Sequence, residues 1–360
     1  MLSTVYYHAD CLDGFGAAWA AWRALGNAAD YRPLHHGEGW LAEEVSSRHV
    51  YILDFSFSPE SLQRMAGLAN SVTLLDHHAS AMHAWQAWLT KEAQEAASYR
   101  DTNRAVRVHF DMKKSGARLA WEHFHPGHAV PKLLAHIEDQ DLWRFSLGDT
   151  RPLCRHLRLQ AFDFDTWQHL AASIEDEHSP AYRDILLQGR AIEHFFRVEC
   201  TRLAGSRLVG KASLRGEPSD ALQANRHGLA VISNEDGCWV AVEGLAVNTN
   251  SLFSSELGHL LAEQSGSFGL TWQLTGNGEV HASLRSCGDF DVAALAIRHG
   301  GGGHRNAAGF RMPLEQFLSE VLVPRKGLEP PRIATPEPKS GASTNFATWA
   351  SGAHSNTEHE

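Results

Sequence analysis

The 360-residue chain is 43% apolar, enough for ordinary cores, and is long enough for two domains. Its net charge of −10 opposes a large footprint for long duplex DNA but leaves room for short nucleotides, whose phosphates can meet metals or a few local arginines. No run approaches the roughly 18–20 apolar residues of a membrane span, and no basic region followed by an apolar stretch reads as a signal peptide. Cys11, Cys154, Cys200, Cys238 and Cys287 are scattered, odd in number and without a CxxC pair. They are expected to be reduced thiols of a cytoplasmic protein rather than a disulfide frame.

In chain order, residues 4–7 are a short β-type run. It leads into His8-Ala9-Asp10-Cys11-Leu12-Asp13-Gly14, and a helix is predicted from near Phe15 to about Leu25. Residues 50–53 form a second buried-strand run ending in Asp54, and Pro59 then opens a helix where proline is well tolerated. Residues 72–75 repeat the design and run into Asp76-His77-His78, with a helical stretch predicted from about Ser80. Such apolar runs read as strands buried on both faces, and their alternation with helices predicts βαβ units and a parallel sheet.

One acid at a strand end is unremarkable, because a capped turn with solvated histidines explains it. Three successive strand ends carry His8 with Asp13, then Asp54, then Asp76 with His77 and His78. They are expected to gather at the carboxyl edge of one sheet, where open α/β sheets hold their ligands. A strand at 106–110 and a helix at 115–124 follow. A helix from Pro131 then ends in Glu138-Asp139-Gln140-Asp141-Leu142-Trp143, with carboxylates where the helix dipole disfavours them. A cation nearby would offset that cost, as would a solvated acidic turn. His123, His125, His128 and His136 read as surface histidines.

Residues 163–203 are helical in pattern and read as a connector. Beyond it, strands are predicted at 229–233 and 238–242 and a helix at 254–264. A hairpin over 268–284 turns at Gly276-Asn277-Gly278, and a helix at 291–299 precedes Gly300-Gly301-Gly302-Gly303-His304-Arg305-Asn306. The four glycines read either as a hinge or as a loop whose bare amides bind an anion; Arg285 and His304 tilt the reading toward phosphate. After about Val323 the composition turns to Pro, Ser, Thr, Gly and charge, and 325–360 are expected to be disordered.

Mixed His and Asp donors without a cysteine cluster suit manganese, magnesium, iron or zinc. Four segments supplying donors point to two metals with Asp54 as the bridge. Two metals about 3.5–4 Å apart activate water and clamp an in-line phosphoryl displacement. With a phosphate-gripping loop in a second domain, the residues describe a phosphodiester hydrolase.

With these motifs in place, the chain resembles the DHH phosphoesterase superfamily, named for the triplet Asp76-His77-His78. The likeness covers about residues 3–323. Its second half resembles the DHH-associated nucleotide-binding domain through Ser283-Leu284-Arg285-Ser286, Asp291-Val292 and the glycine-rich run to Phe310. The resemblance implies an α/β fold: a parallel-sheet catalytic domain (1–150), a helical linker (151–205), a smaller α/β domain (206–323) and a tail (324–360). The active site would lie in the cleft between the two domains. It implies two divalent ions, usually manganese, and hydrolysis of short single-stranded RNA or (cyclic) dinucleotides; a homodimer is compatible with it.

Carried over residue by residue, His8, Asp13, Asp54 and His77 match metal ligands, with Asp141, or alternatively Asp139, as the fourth-motif aspartate. Asp54, His78 and Asp76 match catalytic positions, His78 sitting against the substrate phosphate. Arg285, Gly301, Gly302, Gly303, His304 and Asn306 match positions that grip substrate. One departure stands out. The family's first motif carries two aspartates one residue apart; here Cys11 holds the earlier slot and Asp10 is offset by one. Asp10 drawn in as a ligand, Cys11 ligating through sulfur, a metal with fewer ligands, and Cys11 as packing all remain open. The alternatives to a phosphodiesterase are a nucleotide- or RNA-binding protein with impaired catalysis, and a phosphatase for 3′-phosphoadenosine nucleotides or polyphosphate.

Overall fold

The alternation in the first part of the chain folds as β1 (Ser3–His8), α1 (Leu12–Leu25), β2 (Ala29–Leu34), α2 (Ala42–Val45), β3 (His49–Leu53), α3 (Pro59–Ala66) and β4 (Ser71–Asp76). It continues as α4 (Ala79–Ala84), β5 (Thr90–Lys91), β6 (Ala96–Asp101), β7 (Val106–Asp111), α5 (Gly116–Phe124) and α6 (Lys132–Asp141). The computed structural model describes residues 2–35, 37–93, 95–219, 230–234 and 237–322; the expected disordered tail lies outside them.

The strand order of the first sheet is β2-β1-β3-β4-β7-β6-β5. β1 pairs in parallel with both β2 and β3, β4 with β3, and β7 with β4, while β6 and β5 turn antiparallel at the edge. The sheet is therefore mixed at one edge, and three of its strands escaped the sequence reading. The two edge strands explain why: β2 carries Pro33 among charged residues, and β5 is two exposed residues long. β6 reads poorly because its Ala, Ser and charged residues make a weak β signal. Strand order reverses between β1 and β3, which opens a crevice at their carboxyl ends.

Side chains alternate between two cores. Val5, Leu53 and Leu75 face Phe15, Trp19 and Trp121, whereas Tyr6, Ile52 and Leu74 face Leu62, Met65 and Trp85.

Next come α7 (Thr150–Leu157), α8 (Phe164–Glu175) and α9 (Pro180–Ala204). This segment does more than connect. Phe162 and Phe164 stack on Phe15 with centroids 5.2 Å away, and Trp167 meets it edge-on at 4.8 Å, so the segment helps build the first core.

The second sheet contains β8 (Gly210–Pro218), β9 (Val231–Asn234), β10 (Gly237–Asn248), β11 (Phe268–Leu274) and β12 (Glu279–Ser286), with α10 (Ser254–Ser265) between β10 and β11. It is completed by α11 (Val292–Ile297), β13 (Gly302–His304), β14 (Ala307–Pro313) and α12 (Leu314–Glu320). Its order is β13-β14-β12-β11-β10-β8, with β9 on β10. Cys200 and Ala204 at the end of α9 pack on Leu257 and Leu261 of α10. Buried Arg155 of α7 reaches Glu193 of α9 at 2.7 Å and also pairs with Glu256 of α10, its guanidinium 3.8 Å from the centre of the Phe196 ring. The described residues up to Leu322 belong to one compact unit. None of their helices is long and apolar enough to cross a membrane.

Candidate metal and phosphate centre

β1, β3 and β4 are adjacent and in parallel register, so their carboxyl ends deliver His8, Asp54 and Asp76-His77-His78 to one edge. Asp13 arrives from the first turn of α1, which begins three residues earlier than the sequence reading placed it. Gly14 permits this, because a Cβ there would collide with the carbonyl of His8. Asp54 has a left-handed backbone, φ +64°, tolerable for Asp and a form of strain typical of functional sites.

Three carboxylates converge on one imidazole nitrogen. His77 Nε2 lies 3.0 Å from Asp54 Oδ1, 3.4 Å from Asp13 Oδ2 and 3.6 Å from Asp141 Oδ2. His8 Nδ1 faces Asp54 Oδ2 at 3.6 Å, an electrostatic contact too long for a hydrogen bond. Three donor sets share Asp54: His8 with Cys11, Asp13 with His77, and Asp76 with His78.

Asp13 is anchored from a part of the chain that no local motif announces. The Gly116 and Ala117 amides at the start of α5 donate to its two oxygens at 2.5 and 3.0 Å. The positive end of that helix favours the carboxylate. Gly116 is obligatory by contact, since a Cβ there would come within 2.5 Å of the Asp54 Cβ. The candidate residue list above lacked Ser115 and Gly116; a Ser cap followed by Gly at a helix start was the available signal.

The two acids at the end of α6 have different work. Buried Asp139 accepts from the Ser146 and Leu147 amides at 2.8 and 3.0 Å and from the Ser146 and Thr150 hydroxyls. It organises the following loop, in which Trp143 and Phe145 adopt positive φ of 55° and 48°. Asp141 alone reaches the cluster. His136, expected at the surface, is buried and shares Thr150 with Asp139 through a 2.9 Å contact, because α7 covers that face of α6.

Electrostatics in the centre are strained. Burial, then Asp54 and Asp141, push the Asp13 carboxyl well above the usual range, and burial raises Asp141 too. Asp54 is held low: burial opposes ionisation, but His77 and His8 outweigh it. His77 is held well above normal by Asp141, Asp54 and Asp13 despite its burial. Buried acids in such proximity call for a compensating cation. Among the described residues, buried side-chain atoms without a hydrogen-bond partner include His8 Nδ1, Asp76 Oδ2, His77 Nδ1 and Asp141 Oδ2, all in this centre. The donor chemistry, oxygen-rich with imidazole, fits hard or borderline divalent ions.

Asp76 is fully buried and orients the triplet. Its Oδ1 accepts from the His77 amide at 2.7 Å and lies 2.7 Å from His78 Nδ1. That contact fixes a proton on Nδ1 and leaves Nε2 turned away from Asp76. His304 of the second sheet stacks on His78 at 4.3 Å and lies 4.7 Å from His77, so the two sheets meet at this point.

The structure places the residues of the altered first motif and of the glycine run. Asp10, at φ +53°, turns outward to His35 at 3.0 Å and stands apart from the cluster. Cys11 caps α1 beside His8 and Asp54, where burial and the acids push its thiol well above the usual range. The four-glycine run is not a loop of bare amides. Gly300 N donates to Ile297, Gly301 N to Ala296 and Gly303 N to Ser80 Oγ, while 302–304 pair as a strand with β14. Glycine is required there for close approach: a Cβ on Gly301 would collide with the Gly309 carbonyl.

Arg285 donates to Leu284 O at 2.8 Å and to Ser255 Oγ at 2.9 Å, with burial lowering it to about 10, still charged at neutral pH. Asn306 uses its amide on Ser286, Gly288 and Phe290, shaping the turn between β13 and β14.

No family model matches the chain. An uncharacterized protein of Acanthamoeba polyphaga mimivirus is 27% identical over 327 residues, covering 86% of this chain and 67% of that protein. Among solved structures, RecJ of Thermus thermophilus in complex with Mn2+ matches 88% of this chain at 14% identity and a TM-score of 0.42. The chain spans half of that RecJ. A pGpG-specific phosphodiesterase, PggH of Vibrio cholerae, matches 89% of this chain and 96% of its own at 12% identity and a TM-score of 0.40. RecJ and PggH are members of the DHH superfamily, to which the motifs of this chain are similar.

Proposed function

We propose that the protein is a metal-dependent phosphoesterase that hydrolyses phosphodiester bonds of short RNA oligonucleotides or of linear or cyclic dinucleotides. The observation that carries the reading is the convergence of His8, Asp13, Asp54, His77 and Asp141 on one edge, capped by His304 from the other sheet. Divalent ions held by those five residues, manganese first among candidates, would supply charge neutralisation and a more acidic water. Asp54, common to three donor sets, is the natural bridge. Asp76 fixes the His78 ring so that Nε2 can meet a phosphate oxygen. Arg285, close enough to His304 to help depress its pKa, supplies a fixed positive charge for the nucleotide phosphate. His304, held well below normal by burial and then by His78 and His77, is neutral and donates from whichever nitrogen carries its proton.

The test is a substrate panel with purified protein and Mn2+ or Mg2+: dinucleotides, oligoribonucleotides of two to about seven residues, cyclic dinucleotides, pyrophosphate and 3′-phosphoadenosine nucleotides. Release of mononucleotides is expected. Inertness toward all nucleotide diesters would end the proposal. A second reading, a nucleotide-binding protein with impaired catalysis, is favoured by one observation, the outward turn of Asp10 beside Cys11. About two tightly bound ions per chain by elemental analysis support the enzyme, and none supports the binder.

A further inference from the structure

Helices cover β1, β3 and part of β4 on the α5 side of the first sheet, but beyond β4 that face lies open. Arg107 and His109 of β7 stand there, opposite Arg100 and Ser98 of β6. Between this floor and α5 is a cavity of about 930 Å³, lined by both arginines, His109, His123, Trp88 and Tyr99. Its floor includes Thr73, paired with Arg107 and three residues before Asp76, which places it about 10 Å along the strand from the metal centre.

Arg100 and Arg107 are direct cross-strand partners, an arrangement in which like charges are unfavourable. Both are exposed. Among the described residues, neither guanidinium makes a hydrogen bond or an ion pair. On a chain with net charge −10 this pair has been left without a carboxylate. Two glutamates also line the cavity, each with a partner other than these arginines: Glu92 leans on His109 at 3.7 Å, and Glu122 is held by Lys114 at 2.9 Å and Arg118 at 2.7 Å. Two guanidinium groups on neighbouring strand positions suit a phosphate group. Trp88 lies edge-on to Tyr99 at 5.7 Å and is 43% exposed, a surface on which a base can stack. The cavity falls in the size range of small-molecule sites.

We propose that this groove binds a free mononucleotide, with its phosphate on Arg100 and Arg107 and its base on Trp88. The site is separate from the metal centre and does not depend on the catalytic reading. The experiment is calorimetric titration of the full chain with AMP, adenosine, inorganic phosphate and a five-residue RNA, in EDTA so that no metal-held phosphate contributes.

AMP should saturate near one per chain, with adenosine and inorganic phosphate each binding more weakly. Arg100→Ala/Arg107→Ala should weaken AMP by at least about tenfold, and Arg107→Lys by less, because the charge stays while the fork is lost. Trp88→Ala should weaken AMP but leave inorganic phosphate unchanged. AMP binding that is absent in EDTA, or that survives the double substitution, overturns the proposal. So does a five-residue RNA that binds through the arginines without being displaced by AMP.

Discussion

The two sheets meet at His78 and His304, yet their contributions to that meeting are built from opposite materials. The edge of the first sheet stores unfavourable electrostatics: buried carboxylates around one imidazole, and polar atoms without partners. The edge of the second is satisfied and steric, with glycine amides bonded and backbones in contact where no Cβ fits. A site that recruits ions must leave donors unpaired, whereas a clamp that positions substrate must be stiff. The difference teaches which substitutions should alter chemistry and which should alter shape.

The hardest break is at the shared acid. Asp54→Asn should lower diester turnover by about a thousandfold or more, a loss of several kcal/mol of charge stabilisation, measured as nucleotide release with Mn2+. Near-normal turnover would remove Asp54 from the bridging role.

The paired glycines sharpen the contrast next. Gly116→Ala and Gly301→Ala should each cost about 1–3 kcal/mol in urea unfolding through overcrowding. Gly116→Ala should also abolish metal uptake, because its Cβ would press on Asp54. Gly301→Ala should leave metal content intact and raise KM. If both lose metal equally, the division of labour between the edges is wrong.

Arg285→Ala should raise KM about tenfold with kcat nearly unchanged. An equal fall in kcat would show that Arg285 acts on the transition state as well.

A pH effect should follow from His299, in the turn between α11 and β13. Its Nε2 accepts from the Arg215 amide, its ring stacks on Phe310, and burial followed by Arg215 lowers it to about 4. The folded value lies below the unfolded one, near 6.5, so the unfolded state takes the proton first. This contribution to stability is intact above pH 6.5 and is lost as pH falls toward 4, by about 1–3 kcal/mol. Urea midpoints across that range should show the slope, and His299→Gln should flatten it.

The smallest effect belongs to Asp10→Ala, which removes only an exposed pair with His35 and should change activity by less than about twofold. A large loss would restore Asp10 as a ligand.

Much of this architecture was legible in the chain. Apolar runs of strand length ending in His8, Asp54 and Asp76 announced β1, β3 and β4, and parallel register then brought their ends together. The hairpin turning at Asn277 and the helices of the second half were equally readable, because local period and turn chemistry dominate there. The sequence reading missed β8 as well as three strands of the first sheet, where weak signals were the cause: β2 and β5 are polar, exposed edges, and β6 mixes small and charged residues.

By itself, then, the amino-acid order determined which residues end strands, which segments are helical, and that hard, oxygen-rich donors collect in the first half. Tertiary structure decided the assignments that local pattern leaves degenerate. It chose Asp141 over Asp139, turned Asp10 out to His35, buried His136 under α7 and put the α5 amides on Asp13 from more than a hundred residues away. It also converted a glycine run that looked like an anion loop into a strand pressed against β14. The physical reason is the same in each case. A side chain's type and spacing are local, but its partner is set by register and packing between segments far apart in the chain.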